Sequence, residues 1–235
     1  MYNPFQVVKD FEHALCDYTG APYVVTTTSC TMALLLAVAW HFRENRGRWV
    51  LAGDRSNEVE IPKRTYVGVP MSIIHAGGRP TFRDEDWVGA YQLKPLPVWD
   101  SARWFTGGLY KGAAEAIFFS RGNMNELNAV KLERNCAGSM VCVSFHWAKT
   151  LGIQQGGAIL LDNREAAQWL QRARFDGRAE GVPPKAQNHW ELGWHCYMAP
   201  ETAAAGLVRL ANLPRHNEPI PWDDYPDLST FELFK

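Results

Sequence analysis

Residues 140–161 read MVCVSFHWAKTLGIQQGGAILL, and this stretch predicts two strands of a sheet and a candidate site between them. An apolar strand is predicted over residues 140–145, with Ser144 near its end, and Lys149 follows five residues after that serine. A double glycine then leads into a second apolar strand. Ligands of open α/β sheets bind beyond the carboxyl ends of the strands, so we expect Ser144 and Lys149 at the ligand-binding edge.

Lys149 is the candidate for covalent chemistry. It lies between Trp147 and Leu151, where partial desolvation would lower the pKa of its amine toward the neutral form that makes imines with aldehydes. The alternative is a solvated loop lysine, which is the commoner role of a single lysine in a loop. The glycines that follow favour a ligand, because glycine beside a strand often marks a close approach of the backbone to a bound molecule.

Short apolar or β-branched runs alternate with helical patterns over the rest of the chain, which is typical of an α/β protein with a mostly parallel sheet. Strands are predicted at residues 24–27, 49–52, 59–62, 81–83, 96–99, 140–145 and 158–161, and helices at 31–42, 66–75, 163–174 and 199–212. We expect one domain over residues 1–213. The last segment, residues 214–235, is rich in proline and acidic side chains and is predicted to be an extended tail.

The overall composition is that of a globular protein, since 46% of the 235 residues are hydrophobic and 21% are charged. Lysine and arginine total 24 against 25 aspartates and glutamates, which gives a formal net charge of -1. A general polyanion-binding protein needs a basic surplus to neutralise phosphates. The charge balance therefore argues against nucleic acid as the partner.

The sequence also predicts a compartment. No apolar run approaches the ~20 residues that span a bilayer, and residues 1–15 lack the basic-then-apolar order of a signal peptide. Five cysteines without a Cys-x-x-Cys pair indicate a reducing environment rather than a disulfide scaffold, and they predict no zinc site. We therefore expect a cytoplasmic protein with no metal and no membrane partner.

Asp100 ends a predicted apolar strand and is followed by the small residues Ser101 and Ala102. A carboxylate in this place can keep a pyridinium nitrogen protonated, as enzymes that use pyridoxal 5'-phosphate (PLP) require. The alternative is an ordinary helix N-cap or turn aspartate. Taken alone, the residue leaves both interpretations open.

Two further segments could contact a ligand. Residues 26–31 form a hydroxyl-rich turn before a buried helix, and the free N–H groups of a helix N-terminus attract phosphate. Ordinary capping by serine and threonine is the alternative for this turn. Tyr66 could stack on a planar ligand, although most such aromatic rings are core residues.

Six segments follow one another in a characteristic order: Tyr18-Thr19-Gly20-Ala21-Pro22-Tyr23, Ser29-Cys30-Thr31-Met32-Ala33-Leu34, Pro62-Lys63-Arg64-Thr65-Tyr66, Asp100-Ser101-Ala102, Ser144-Phe145 with Lys149, and residues 192–198. In this order they resemble the DegT/DnrJ/EryC1/StrS family of PLP-dependent aminotransferases, most of which act on nucleotide sugars. The resemblance runs from about Phe11 to Leu213. It implies the large domain of PLP-dependent transferase fold type I, a three-layer α/β/α domain, over residues 1–213.

The resemblance also implies a role for each matched residue. Lys149 would hold PLP covalently and then move the proton, Asp100 would pair with the pyridine nitrogen, and Tyr66 would stack on the ring. Arg103 would lie near the ring hydroxyl. The residues implied to hold the phosphate are Ser144 and, from the hydroxyl-rich turn, Ser29, Cys30 and Thr31.

The segment at residues 192–198 implies a homodimer, because the family's asparagine in this segment reaches the site of the partner subunit. His195 stands at that asparagine, and Tyr197 stands where the family has an arginine. Cys30 likewise replaces the glycine of the phosphate turn. Family members continue with a further C-terminal domain that helps to select the substrate, and we expect that domain to be largely absent here.

Three functions remain open at this point. The preferred one is transamination from glutamate or a similar donor to a keto group of a nucleotide-linked sugar. The second is decarboxylation or other PLP chemistry on an amino-acid-like or nucleotide-borne substrate. The third is a non-catalytic binding module, against which the pairing of Asp100 with Lys149 argues, because a purely structural fold does not need that pair.

Overall fold

A computed structural model of the chain describes residues 3–43, 57–111, 117–118, 130–131, 136–221 and 224–235. The strand predicted at residues 49–52 lies outside the described residues. The helices are α1 (Gln6–Thr19), α2 (Cys30–Phe42), α3 (Gly68–His75), α4 (Arg164–Ala173) and α5 (Pro200–Ala211). The strands are β1 (Tyr23–Thr27), β2 (Glu58–Pro62), β3 (Arg79–Arg83), β4 (Tyr91–Leu93), β5 (Val98–Asp100), β6 (Ile117–Phe118), β7 (Val130–Lys131), β8 (Met140–Ser144) and β9 (Gly157–Leu161).

The main sheet has the strand order β1-β9-β8-β5-β4. Only β5 and β8 pair in parallel, while the other three neighbouring pairs are antiparallel. The prediction of a mostly parallel sheet is therefore wrong, and the sheet is mixed. The reason lies partly in the link between β8 and β9, residues 145–156, which contains no helix. A parallel pair needs a crossover, usually a helix, whereas a loop returns the chain in the opposite direction.

A second, parallel pair, β2 with β3, extends the sheet beyond β4. The backbones of Glu60 and Lys94 exchange two hydrogen bonds, of 2.7 and 3.0 Å, which join β2 to the end of β4. Strands β6 and β7 form a separate antiparallel pair. The chain is thus an α/β protein whose central strands are β8 and β5.

Helices cover both faces of the main sheet. Along β9, Ile159 and Leu161 pack into the core that contains α2, α3 and α4, whereas Ala158 and Leu160 pack into the core that contains α1 and α5. Alternate side chains of a strand point to opposite faces, so this division places one helix layer on each side. The predicted three-layer α/β/α architecture is confirmed.

Helix α2 is the central helix, and ten of its 13 residues are buried. Ser29 caps its N-terminus, since the Ser29 hydroxyl accepts a hydrogen bond from the Met32 N–H at 3.2 Å. The first turn of α2 therefore begins at the end of β1, beside the carboxyl end of the parallel strands. In the described part of the chain, no helix is long and apolar enough to cross a bilayer.

The last segment, residues 214–235, lies along the domain and is called the belt below; residues 222 and 223 of it are not described. Its backbone is tied to the domain at both ends. The Thr106 hydroxyl donates to the Arg215 carbonyl at 3.0 Å, and the Leu228 N–H donates to the Lys63 carbonyl at 2.8 Å. Leu228 is only 2% exposed. The described part of the belt contains two short 3-10 turns, Leu228–Thr230 and Glu232–Phe234.

Candidate functional site

A cavity of about 630 Å³ opens between the N-terminus of α2 and the carboxyl ends of β5 and β8. It is the place where the sequence predicts a ligand. Eight of the nine predicted site residues line it, namely Ser29, Cys30, Thr31, Tyr66, Asp100, Arg103, Ser144 and Lys149. His195 is the ninth and does not line it. These eight residues come from four separate segments of the chain and meet in one cavity.

Asp100 ends β5 and supplies a buried carboxyl group to the cavity, with 5% of the residue exposed. Its Oδ1 accepts a hydrogen bond from the Ala102 N–H at 2.9 Å, and its Oδ2 accepts one from the Tyr91 hydroxyl at 2.8 Å. Burial raises the pKa of Asp100, while the two hydrogen bonds and the positive charges of Lys149 and Arg103 counteract the rise. A cation placed beside this carboxyl would favour its ionised form.

Tyr91 is a site residue that sequence analysis did not identify. Its hydroxyl lies 2.6 Å from the Thr65 hydroxyl as well as 2.8 Å from Asp100. Because Tyr91 donates its proton to the carboxyl, Thr65 has to donate to Tyr91. The three buried groups form a chain that ends on Asp100. Strand β4 has three residues, too few to show the alternation that would have revealed which side of the sheet Tyr91 faces.

Lys149 lies in the turn after β8, where its backbone N–H donates to the His146 carbonyl at 2.8 Å. Partial burial is the main cause that lowers the pKa of its amine, and repulsion from the Arg103 guanidinium lowers it further. The negative charge of Asp100 opposes both effects. The neutral amine, which is the nucleophilic form, is therefore more populated than in an exposed lysine.

The N-terminus of α2 faces the cavity, and β9 packs closely against it. A Cβ atom on Gly157 would lie 2.4 Å from the Cys30 nitrogen, so no other residue fits there without a shift of the helix. Burial raises the pKa of the Cys30 thiol well above its usual value, which keeps the thiol neutral. Ser144 ends β8 nearby, and with Thr31 it adds hydroxyl groups to the free N–H groups of the helix. Such an arrangement binds anions.

Tyr66 precedes α3, which starts at Gly68 rather than at residue 66 as predicted. The residue is 56% exposed, and it lines the cavity. A Cβ atom on Gly68 would lie 2.7 Å from the Tyr66 ring and 2.8 Å from the Thr31 hydroxyl. The Tyr66 ring therefore lies close to the first turn of α2, at the mouth of the cavity, where a planar ligand can reach it.

The belt also contributes to the cavity, through Tyr225. The Tyr225 ring stacks against the Trp87 ring with a centroid distance of 6.3 Å and an angle of 16° between the planes. The indole N–H of Trp87 donates to the Arg64 carbonyl at 2.9 Å, which fixes the orientation of that ring. Sequence analysis identified neither aromatic residue, since no local pattern indicates that residue 225 returns to the site.

His195 lies on the surface, and its side chain is 70% exposed. Its Nδ1 is 3.0 Å from Asp176 Oδ2. His195 does not line the cavity of its own chain, so it could contact a ligand bound in such a cavity only in a second copy of the chain. The predicted role of His195 in a partner's site stays a prediction.

A buried ion pair supports the turn that leads into α2. Arg174, 1% exposed, is paired with Glu12, 6% exposed. The same guanidinium donates to the Thr26 carbonyl at 2.7 Å, and the Thr26 N–H and hydroxyl both donate to Glu12 at 2.8 Å. Thr26 is three residues before the cap Ser29. The pair thus ties α1 and the end of α4 to the strand that positions the hydroxyl-rich turn.

The model of the DegT/DnrJ/EryC1/StrS aminotransferase family matches residues 2–98 and 132–219. The chain is 26% identical over 203 residues to L-glutamine:2-deoxy-scyllo-inosose aminotransferase from Streptomyces fradiae, an alignment that covers 78% of this chain and 45% of that protein. It is 23% identical over 237 residues to GDP-perosamine synthase from Caulobacter vibrioides, which covers 89% of this chain and 57% of the synthase. The chain thus spans about half the length of the curated relatives it matches.

Solved structures show the same fold. The structure of GDP-4-keto-6-deoxy-D-mannose-3-dehydratase from E. coli, with bound hydrated PLP, superposes with a TM-score of 0.63 at 17% sequence identity. The superposition covers 89% of this chain and 61% of that one. The predicted architecture, the large domain of PLP-dependent transferase fold type I, is therefore confirmed.

Proposed function

The chain belongs to the DegT/DnrJ/EryC1/StrS aminotransferase family, and on this premise we propose that it is a PLP-dependent aminotransferase. It moves an amino group from glutamate or a similar donor to a keto group of a nucleotide-linked sugar. The observation that carries the proposal is the single cavity that contains the Lys149 amine, the Asp100 carboxyl and the first turn of α2. The similarity to GDP-perosamine synthase supports an acceptor of the nucleotide-sugar class.

The side chains of the cavity fit PLP by their chemistry. The buried carboxyl of Asp100 suits a basic ring nitrogen, because an added positive charge there compensates the cost of burying the carboxylate. The Lys149 amine, whose pKa is lowered, suits an aldehyde. The first turn of α2 suits a phosphate, and the neutral Cys30 thiol does not repel it.

PLP, when bound, supplies the electron sink that stabilises a carbanion on the amino donor. Asp100 would keep the proton on the ring nitrogen, and the hydrogen bonds from Tyr91 and Ala102 hold its carboxyl in position. The Lys149 Nζ is the attachment point and then the base that takes the proton from the α-carbon of the donor. Tyr66 would cover the ring, and Arg103 would lie near the ring hydroxyl.

The phosphate-binding residues in this proposal are Ser29, Cys30, Thr31 and Ser144. The Ser29 hydroxyl is occupied as the cap of α2, so Ser29 contributes by fixing the helix N-terminus. Ser144 and Thr31 have hydroxyl groups that line the cavity and can donate to the phosphate. Cys30 and Thr31 also bring backbone N–H groups that begin the helix.

The covalent step is tested by borohydride reduction of the PLP-loaded protein, followed by peptide mass spectrometry. We expect the label on Lys149 and no label in Lys149→Ala. Lys63→Ala is the matched control, because Lys63 is a lysine held by Asp84 and Asp227 away from the cavity lining. A label on any other lysine, or none in the native protein, would contradict the proposal.

The reaction type is tested by adding glutamate to the same loaded protein. Transamination predicts 2-oxoglutarate in an amount equal to the bound cofactor when no acceptor is present, and continued production with a nucleotide-linked ketosugar. Release of carbon dioxide without keto acid would favour a PLP-dependent decarboxylase. A folded protein that binds PLP but changes neither compound would be a binding module.

The functional form in this proposal is a homodimer in which His195 reaches the site of a second copy. The exposure of His195 and its position outside its own cavity are compatible with this role. We expect His195→Ala to weaken PLP binding and to leave the dimer intact in sedimentation experiments. Unchanged PLP affinity would confine His195 to the surface of one subunit.

We also place this enzyme in the cytoplasm. The five cysteines are all free, and four of them are buried. Free thiols of this kind are typical of a reducing compartment. Cell fractionation with antibody detection tests the assignment, and recovery in a membrane or secreted fraction would overturn it.

A further inference from the structure

The belt closes one side of the cavity with Tyr225, and its residues Ile220 and Pro221 contact Arg103. The Ile220 N–H donates to the Arg103 carbonyl at 2.7 Å, and the Pro221 carbonyl accepts a hydrogen bond from Arg103 Nη1. Four residues after Pro221, Tyr225 lines the cavity itself. The belt thus contacts both the backbone and the side chain of Arg103, a residue of the same cavity.

Arg103 is held on two sides by belt residues. Its Nε donates to the Tyr225 hydroxyl at 3.3 Å, and its guanidinium carbon lies 5.4 Å from the centre of the Tyr225 ring. Tyr225 in turn stacks on Trp87, and Trp87 contacts Tyr91 edge to face at 4.7 Å. This series of rings connects the belt to the tyrosine that donates to Asp100.

The acceptors of the Arg103 side chain among the described residues, the Tyr225 hydroxyl and the Pro221 carbonyl, are both neutral. No described carboxylate forms an ion pair with Arg103, and no described acceptor takes the protons of its Nη2. A guanidinium has five donors, and a planar edge that remains available can take a carboxylate or a phosphate in two parallel hydrogen bonds. The fixed orientation means that little side-chain entropy is lost when an anion binds.

We propose that the belt forms one wall of the substrate-binding site. In this wall Tyr225 and Pro221 hold Arg103 in position, and Arg103 binds an anionic group of the substrate, a carboxylate or a phosphate. Arg103 is then a binding residue, and Tyr225 is a positioning residue that acts through it. The inference rests on the proposed function only for the identity of the substrate. An amino acid donor brings a carboxylate, and a nucleotide-linked sugar brings a diphosphate.

Calorimetric titration of the full-length protein tests this inference, with and without PLP. The probes are glutarate for the carboxylate source and UDP for the phosphate source. We expect Arg103→Gln to weaken one of the two probes by about tenfold or more, because hydrogen bonds to charged groups are the strong ones. The probe that is weakened identifies the source of the anion.

Two further variants separate positioning from folding. Tyr225→Ala keeps the charge of Arg103 but removes its support, so we expect about threefold to tenfold weaker binding of the same probe. Arg215→Gln is the matched control, since Arg215 is also in the belt with its guanidinium 5.4 Å from a tyrosine ring, that of Tyr18, but it does not line the cavity. It should bind both probes as the native protein does. Thermal unfolding of each variant gives its stability.

The inference is overturned if the native protein binds neither probe, or if Arg103→Gln binds both as well as the native protein does. It is also overturned if Arg103→Gln loses PLP while it keeps both probes, since Arg103 would then serve the cofactor alone. The proposed function is tested separately, because its failure would appear as the absence of a borohydride-fixed label on Lys149. The titrations can be interpreted whether or not that label is found.

Discussion

The hydroxyl of Tyr91 donates a hydrogen bond of 2.8 Å to Oδ2 of Asp100, and both residues are at most 5% exposed. The Thr65 hydroxyl, 2.6 Å from that of Tyr91, completes the arrangement. In a buried site a hydrogen bond to the ionised form of a carboxyl counteracts the cost of removing the charge from water. The hydrogen bond from Tyr91 therefore lowers the pKa of Asp100, the carboxyl that we propose to pair with the ring nitrogen of PLP.

Replacement of Tyr91 tests this relationship. In Tyr91→Phe the carboxyl of Asp100 loses one of its two hydrogen bonds, so its pKa rises further and its ionised form is less stable. We expect kcat to fall by about 10-fold to 100-fold, since a hydrogen bond to a charged group contributes about 1.5–3 kcal/mol. The measurement is kcat at saturating donor, with PLP content determined in parallel.

Tyr110→Phe is the control for that variant. Tyr110 is also buried, but its hydroxyl donates to the Ser139 carbonyl, at 3.0 Å, rather than to Asp100. Equal losses of kcat in the two variants would mean that Tyr91 acts through stability rather than through Asp100.

Asp100→Asn removes the charge and keeps the shape. We expect the variant to retain PLP, because the phosphate site and Lys149 are unchanged, but to lose turnover by about 10²–10³-fold, the usual cost of removing a preorganised charge from a site. Steady-state kinetics and the visible spectrum of the loaded variant are the measurements. Activity near that of the native protein would exclude Asp100 from the mechanism.

The capture of PLP should depend on pH through Lys149. The neutral amine is the reactive form, so the rate of capture rises with pH through the pKa of Lys149, which lies below that of an exposed lysine. The guanidinium of Arg103 is one of the causes that lower it. In Arg103→Gln the pKa of Lys149 therefore rises, and the midpoint of the rate profile moves to higher pH.

Stopped-flow absorbance of PLP mixed with the protein at a series of pH values gives this midpoint. Arg215→Gln removes a positive charge outside the cavity lining and should leave the midpoint in place. A midpoint of Arg103→Gln that is unchanged, or that moves to lower pH, would show that the guanidinium does not act on the amine.

Local sequence signals predicted the parts of the fold that depend on local structure. Helix α4 is an example, because Asn163 accepts a hydrogen bond from the Ala166 N–H at 3.0 Å, as its position before the helical pattern indicates. Strand direction was not predictable in the same way. The connection of 12 residues between β8 and β9 is long enough for a crossover, and its lack of a helix is part of the reason why the pair is antiparallel.

Motif order predicted which residues meet in the cavity, whereas contacts between distant segments were missed. Asp100 ends β5 and Lys149 follows β8, and because these strands are neighbours, a general rule of α/β sheets brings the two residues together. Tyr225 is 122 residues from Arg103, and nothing in the residues around it indicates that contact. The position of the belt against the cavity depends on tertiary packing, which no local sequence pattern indicates.

The buried pair of Glu12 and Arg174, 162 residues apart, provides the last prediction. Arg174→Met leaves the Glu12 carboxylate buried without its cation, which should lower the free energy of unfolding by about 3–5 kcal/mol. The double variant with Glu12→Leu removes this buried charge, and only Glu180, which pairs with Arg174 at 3.5 Å, then lacks its cation. The double variant should therefore cost less than Arg174→Met alone. Urea unfolding followed by tryptophan fluorescence measures both.

Lys235→Met, which breaks the exposed pair with Glu232, is the control and should change stability by less than about 1 kcal/mol. If Arg174→Met proved as stable as that control, the pair could not be what holds Thr26 and the turn into α2.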